Sequence, residues 1–148
     1  MKRPIFLLIS LVALAGAYFA YKSYNKPHTN VSSSEAIESM TAAQLFDKFS
    51  SDEAETMKNY SDKVIEVIGT IFLKDLSNKL EPQLVLEANG DNGYIRCGFK
   101  QEELVKIESL EESSTIKVKG ICKGINGSEE LDLLSDIDVV LSNCIIIE

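Results

Sequence analysis

The sequence has no tryptophan, a single histidine, three prolines, three cysteines and only two arginines. Each shortage excludes something. His28 lies in a polar stretch without a cysteine or carboxylate cluster, so no imidazole is set up as a metal ligand or general base. Cys97, Cys122 and Cys144 show no CxxC spacing, which removes the common zinc and dithiol motifs. A catalytic thiolate also needs a nearby base, and the one histidine stands far away in sequence. No glycine-rich phosphate loop is present. Basic residues are scarce where they would matter. Four of the 15 (Lys2, Arg3, Lys22, Lys26) fall within residues 1–30, which hold no acid, so the other 11 face all 23 acids and give residues 31–148 a net charge of −12. Such a balance favours solubility and argues against a polyanionic partner. Scattered carboxylates on an acidic surface read as solvated groups before they read as a glycosidase pair. The expectation is a protein that is not an enzyme and has no cofactor and no metal.

What the chain does have begins with an uncharged apolar run from Ile5 to Tyr21 behind the basic leader Lys2-Arg3. Taken to Tyr24 it makes about 30 Å of helix, enough to cross a membrane. Tyr18, Tyr21 and Tyr24 suit the aromatic interface, and Lys22 can snorkel outward. Residues 1–24 are therefore expected to be a membrane anchor, with residues 5–24 in the bilayer as a single transmembrane helix and the rest of the chain on the extracytoplasmic side. The rival is a cleaved signal peptide, since Ala15-Gly16-Ala17 resembles a small-residue cleavage site. Cleavage would leave a secreted or periplasmic protein. Residues 25–40, serine-rich and without periodicity, read as a flexible tether.

Residues 41–148 have room for one domain with a real core. Thr41-Ala42-Ala43-Gln44 is a capping box, followed by apolar positions at Ala42, Leu45, Phe46 and Phe49 in helical spacing. Ser50 and Glu53 repeat the capping signature, which predicts a bend or second short helix with Ala54, Met57 and Tyr60 on its apolar stripe. This helical segment is expected to plug one side of a barrel. Tyr60–Leu76 then reads as one long β-branched strand, and Gly69 in its middle lets it bend and serve two sheets. Strands follow over 83–88 and 94–99, joined by the turn Asn89-Gly90-Asp91-Asn92-Gly93. That turn lacks the terminal acid of a calcium loop. Gln101–Leu110 predicts a helix, Thr115–Ile125 a fourth strand with Ile116, Val118, Gly120 and Cys122 inward, and Val139–Ile147 a last strand. An acidic loop, 126–138, joins the last two.

Three strands, a helix and two strands is the order of the five-stranded oligonucleotide/oligosaccharide-binding (OB) barrel. The expected class is mainly β with helices: an OB barrel preceded by an N-terminal helical segment. The residues Tyr60-x-x-Lys63-Val64-Ile65-x-Val67-x-Gly69, Cys97-x-Phe99, Lys119-Gly120-x-Cys122-x-Gly124 and Leu141-x-x-Cys144-x-Ile146 resemble the tRNA_anti-like (tRNA-anticodon-binding-like) OB-fold family of exported bacterial proteins. The resemblance runs from about Leu45 to Ile147. Strand parity turns all three cysteines inward, with Cys144 on the face of Val140 and Ile146, and lets Cys144 reach either neighbouring strand. The resemblance implies the pair Cys122–Cys144 as a disulfide; the alternative is three buried free thiols.

The family name implies nucleic-acid binding by fold analogy, which does not fix function. Single-strand binders combine a basic groove with several stacking aromatics. Here the loop after the fourth strand carries Glu129, Glu130, Asp132, Asp136 and Asp138 without a base, and Lys74 and Lys79 are cancelled by Asp75 and Glu81. The expected binding face holds Lys74, Lys79, Tyr94, Arg96 and Lys100, and the expected partner is a protein or peptide. The alternative is an OB-fold nucleic-acid-binding domain.

Overall fold

The computed structural model describes residues 14–16, 18, 30–90, 93–126 and 138–147. In chain order the elements are β1 (Ser39–Thr41), α1 (Ala42–Ser51), α2 (Glu53–Tyr60), β2 (Val64–Asp75), β3 (Gln83–Glu87), β4 (Tyr94–Phe99), a 3-10 turn (Gln101–Glu103) running into α3 (Leu104–Ser109), β5 (Thr115–Asn126) and β6 (Asp138–Ile146). Hydrogen bonding follows the order β1-β2-β3-β4-β6-β5, and β5 returns to β2 to close a five-stranded barrel.

β2 is the closing strand. Its first half, Val64–Thr70, pairs antiparallel with Ile121–Thr115 of β5, and its second half, Thr70–Asp75, with Glu87–Gln83 of β3. Gly69 sits at the switch for a steric reason. A Cβ there would lie 3.0 Å from Ala42 and 3.1 Å from Leu86, so the glycine lets α1 rest on the bend. Opposite the bend, β1 adds a short parallel strand along Glu66–Ile68.

The capping box is present, with Gln44 N–H donating to Thr41 Oγ1 and Thr41 N–H to Gln44 Oε1. The second cap differs from expectation. α1 runs on to Ser51, and Asp52 caps α2 by accepting from Glu55 N–H. The shift turns Ala54 outward, and Thr56 is buried instead, its hydroxyl donating to the Lys48 carbonyl at 2.8 Å. The plug is real: Ala42, Leu45, Phe46 and Phe49 join the barrel core. Burial of a side chain such as Leu45 or Phe49 contributes about 1.5–3 kcal/mol. Two glycines make room for it. A Cβ on Gly93 would strike the Phe46 ring at 2.7 Å, and one on Gly124 would meet Met57 Sδ at 2.2 Å. Ile107 of α3 is fully buried in the same core.

Residues 30–40 are laid on the barrel. Val31 packs with Val64 and Ile121, Ile37 N–H donates to the Val64 carbonyl, and Met40 enters the main core. Residues 25–29, with His28, lie outside the described residues. So does most of the expected anchor, 5–24. Among the described residues no helix is long and apolar enough to cross a membrane.

The last strand corrects the parity reading. Val139 and Leu141 point into the core and Val140 outward, yet Cys144 is buried too. An irregularity at Ser142–Asn143, with Asn143 at φ 51°, inserts an extra residue and re-aims the strand. Bulges do this by opposing two residues to one. Cys144 therefore does not share a face with Val140.

The Cys122–Cys144 disulfide is not supported either. All three thiols are free and buried. Cys122 pairs with Leu141, three residues from Cys144 along β6. The Cys144 thiol points instead at Gly120, where a Cβ would come within 2.6 Å of Sγ. A disulfide needs Cβ atoms facing each other at close range, and the bulge removes Cys144 from Cys122. Burial raises the Cys144 pKa well above the usual thiol value, with the Cys97 contact adding to it; burial raises that of Cys122 as well.

Candidate binding face

Alternation along β3 and β4 sends Leu84, Leu86, Ile95, Cys97 and Phe99 into the core, and Gln83, Val85, Tyr94, Arg96 and Gly98 outward. An outward residue on a barrel normally meets water. Val85 and Tyr94 do not: they are only 7% and 6% exposed, although neither belongs to a hydrophobic core cluster. The cover comes from β2. Between Ile71 and Leu73 the β2–β3 register slips by one residue, which pushes Phe72 out of the ladder. Its ring lies 4.8 Å from that of Tyr94 at a tilt of 39°, within the range of favourable aromatic pairs. Phe72 itself remains 44% exposed.

The rim of this notch is charged. Arg96 donates from Nε (3.2 Å) and Nη2 (2.7 Å) to Oδ2 of Asp138, in a half-buried ion pair. Asp75 accepts from the Ser77 hydroxyl at 2.6 Å and from Ser77 N–H at 3.0 Å. These two hydrogen bonds, and more weakly the charge of Arg96, hold its carboxyl below the ordinary range. Together Phe72, Leu73, Val85, Tyr94 and these charged groups enclose a cavity of 90 Å³.

Of the five residues expected on the face, the notch brings together Tyr94 and Arg96. Lys74 is engaged elsewhere, its ammonium donating to the Leu110 carbonyl at 2.8 Å. Lys79 is exposed in the β2–β3 loop, and Lys100 lies past the far end of β4. Phe72 and Val85 were not expected here. Strand alternation alone puts Phe72 on the side opposite Ile71 but gives no sign of the slip that lays it over Tyr94.

A second polar cluster joins Glu38, Lys48 and Tyr60. The Tyr60 hydroxyl donates to Glu38 Oε2, and Lys48 Nζ donates to Tyr60 Oη at 3.0 Å and stands 3.6 Å from Glu38. It clasps the segment entering β1 to both plug helices. Among the described residues no group of three or more His, Cys, Asp or Glu side chains is placed to hold a metal.

The sequence signature of the tRNA_anti-like family matches residues 1–144. The chain belongs to the tRNA_anti-like family. Among solved structures it is similar to a Klebsiella pneumoniae lipoprotein carrying a provisional nucleic acid-binding designation, at 15% identity and a TM-score of 0.58, over 76% of this chain and 92% of that one. It also aligns with an aspartyl-tRNA synthetase from Leishmania major at 12% identity and a TM-score of 0.48, over 78% of this chain but only 22% of the synthetase. At these identities the likeness is one of fold. No curated protein matches the sequence significantly. The tRNA_anti-like assignment and the closed barrel agree on an OB domain, and the β2–β3–β4 face is where OB barrels hold their ligands.

Proposed function

We propose that this tRNA_anti-like domain is a non-catalytic module, exported and held at the membrane through residues 5–24, that binds a protein or peptide segment on the β2–β3–β4 face. The observation that carries the reading is the Phe72–Tyr94–Val85 notch, an apolar site whose one guanidinium is committed to Asp138. Affinity for a phosphate backbone grows with the number of lysine and arginine contacts that release counterions. Among the described residues the notch offers one cation, Arg96, beside Asp75 and Asp138. An apolar side chain needs no such cations, and exposed aromatic surface is what interface anchors use.

One observation favours nucleic acid as a second reading: paired aromatics stand where OB barrels stack bases. The two are separated by displaying a random heptapeptide library to the purified full-length protein and to Val85→Arg, and by titrating labelled single-stranded DNA and RNA at ~150 mM salt, near physiological ionic strength. Enrichment on the parent that disappears with Val85→Arg, with no saturable oligonucleotide binding, is the expected result. Low-micromolar oligonucleotide binding that weakens with salt overturns it. Intact-mass measurement on membrane fractions tests the anchor, since a mature chain starting near Tyr18 means cleavage.

A further inference from the structure

A second cavity adjoins the Phe72 notch at Gln83. This one, of 350 Å³, is lined by Leu80, Gln83, Gly98, Lys100 and Ser142 among others, and Gln83 lines both. Outward positions of β4 join them: Tyr94 and Arg96 at the notch, Gly98 at the far end. Four residues of strand separate Tyr94 from Gly98, about 13 Å, the length of four residues of an extended ligand. The floor is open at Gly98, where a Cβ would touch nothing nearer than the Leu141 carbonyl at 3.7 Å. Beside it the Ser142 hydroxyl is buried without a hydrogen-bond partner, a costly state for a group that can donate and accept. Leu80 overhangs this end, 66% exposed. At the notch end the described residues set Asp75 and Asp138 beside one cation, Arg96, so that among them carboxylates outnumber cations next to an exposed phenyl ring.

We propose that the groove takes an extended peptide carrying a lysine or arginine, whose alkyl stem lies on Phe72 with its head toward Asp75, and whose backbone runs along β4 across Gly98 to Ser142. The assignment rests on the peptide-binding reading above. A basic side chain fits the notch twice over: its stem covers apolar surface, and its head gains both a carboxylate and an aromatic face.

The test is fluorescence anisotropy on the full-length protein with two labelled heptapeptides, one alternating Lys and Leu, the other Glu and Leu. The Lys/Leu peptide is expected to bind at least ~10-fold more tightly, and Asp75→Asn to weaken it roughly 3- to 10-fold, the scale of one partly screened charge contact. Gly98→Leu, which fills the groove, is expected to abolish binding. Gln83→Arg, at the junction of the cavities, does the same from a half-exposed position should Gly98→Leu fail to fold. Equal binding of the two peptides, lost in both groove variants, overturns the charge assignment and leaves the peptide site standing. Lys/Leu binding that survives both variants is surface attraction and overturns the groove. No binding of either peptide, with library enrichment indifferent to Val85→Arg, overturns the reading beneath.

Discussion

Replacing Gly120 by alanine tests the most unexpected feature of the barrel, the bulge that re-aims Cys144. Gly120 lies between Lys119, which pairs with Ile145, and Ile121, which pairs with Ser142, so one residue of β5 faces two of β6. The added methyl would meet Cys144 Sγ at 2.6 Å, roughly 1 Å inside ordinary contact, with Leu141 Cβ at 3.4 Å and the Ser142 carbonyl at 3.5 Å closing the alternatives. Cys144 cannot yield easily, because its thiol is buried against Cys97. Overpacking of this kind costs about 1–3 kcal/mol. Gly120 has no positive φ, so the whole penalty is the contact. Cys144→Ala alone removes one buried sulfur and is expected to cost about 1 kcal/mol. In the double variant the methyl occupies the space the sulfur leaves, so the two losses should not add, and a coupling of about 1–2 kcal/mol is expected. Urea denaturation followed by circular dichroism reads it. With m near 1–3 kcal/mol/M, Gly120→Ala should lower the midpoint by about 0.5–2 M, and adding Cys144→Ala should lower it no further. Additive losses would mean that Cys144 does not point at Gly120, and the bulge would be wrong.

Gly124→Ala should be more damaging and less rescuable, because φ is +95° as well as Met57 Sδ lying 2.2 Å from the added Cβ. Met57→Ala relieves the contact but not the backbone, so thermal denaturation should show only partial recovery; full recovery refutes the strain. Two pH limbs follow from the titrating groups. The depressed Asp75 pKa stabilises the fold above the unfolded value near 3.8 and is lost as pH falls through the folded value, so Asp75→Asn should flatten part of the acid limb of a stability-against-pH curve. The raised Cys122 and Cys144 pKa values act in the other direction. Above about pH 8.5–9 the unfolded thiols ionise while the buried ones stay protonated, so stability should fall as pH rises and Cys144→Ala should blunt that fall.

Much of this barrel is legible in sequence because its signals are local. Thr41 and Gln44 announce the helix start, alternation gives β3, β4 and β5, and Gly69 marks the bend of β2. What escapes is set by contacts between strands. The slip at Phe72 and the extra residue at Ser142–Asn143 are registers of one strand against another, and no periodicity within a strand reveals them. At the second, parity puts Cys144 on the face of Val140, which the extra residue undoes, and the disulfide that the family resemblance implied finds no support there. Asp52 outcompetes Ser50 as the cap of α2 for a comparable reason: α1 carries on to Ser51, and its end depends on packing rather than propensity.

Two of the three register shifts in the barrel meet on one face; the third, between Cys122 and Gly124, lies away from it. Strands kept in register would leave the outer face of β3 and β4 a plain surface of half-exposed side chains. The slip in β2 instead folds Phe72 over Tyr94 and raises a wall at one end, while the bulge in β6 begins at Ser142, which lines the hollow at the other. A bulge breaks a ladder, and the one in β6 also serves the interior, since it turns Cys144 into the core. Bulges concentrate where a sheet must present something. The slip and the β6 bulge both lie on the face that carries the two cavities, where the proposed peptide would run.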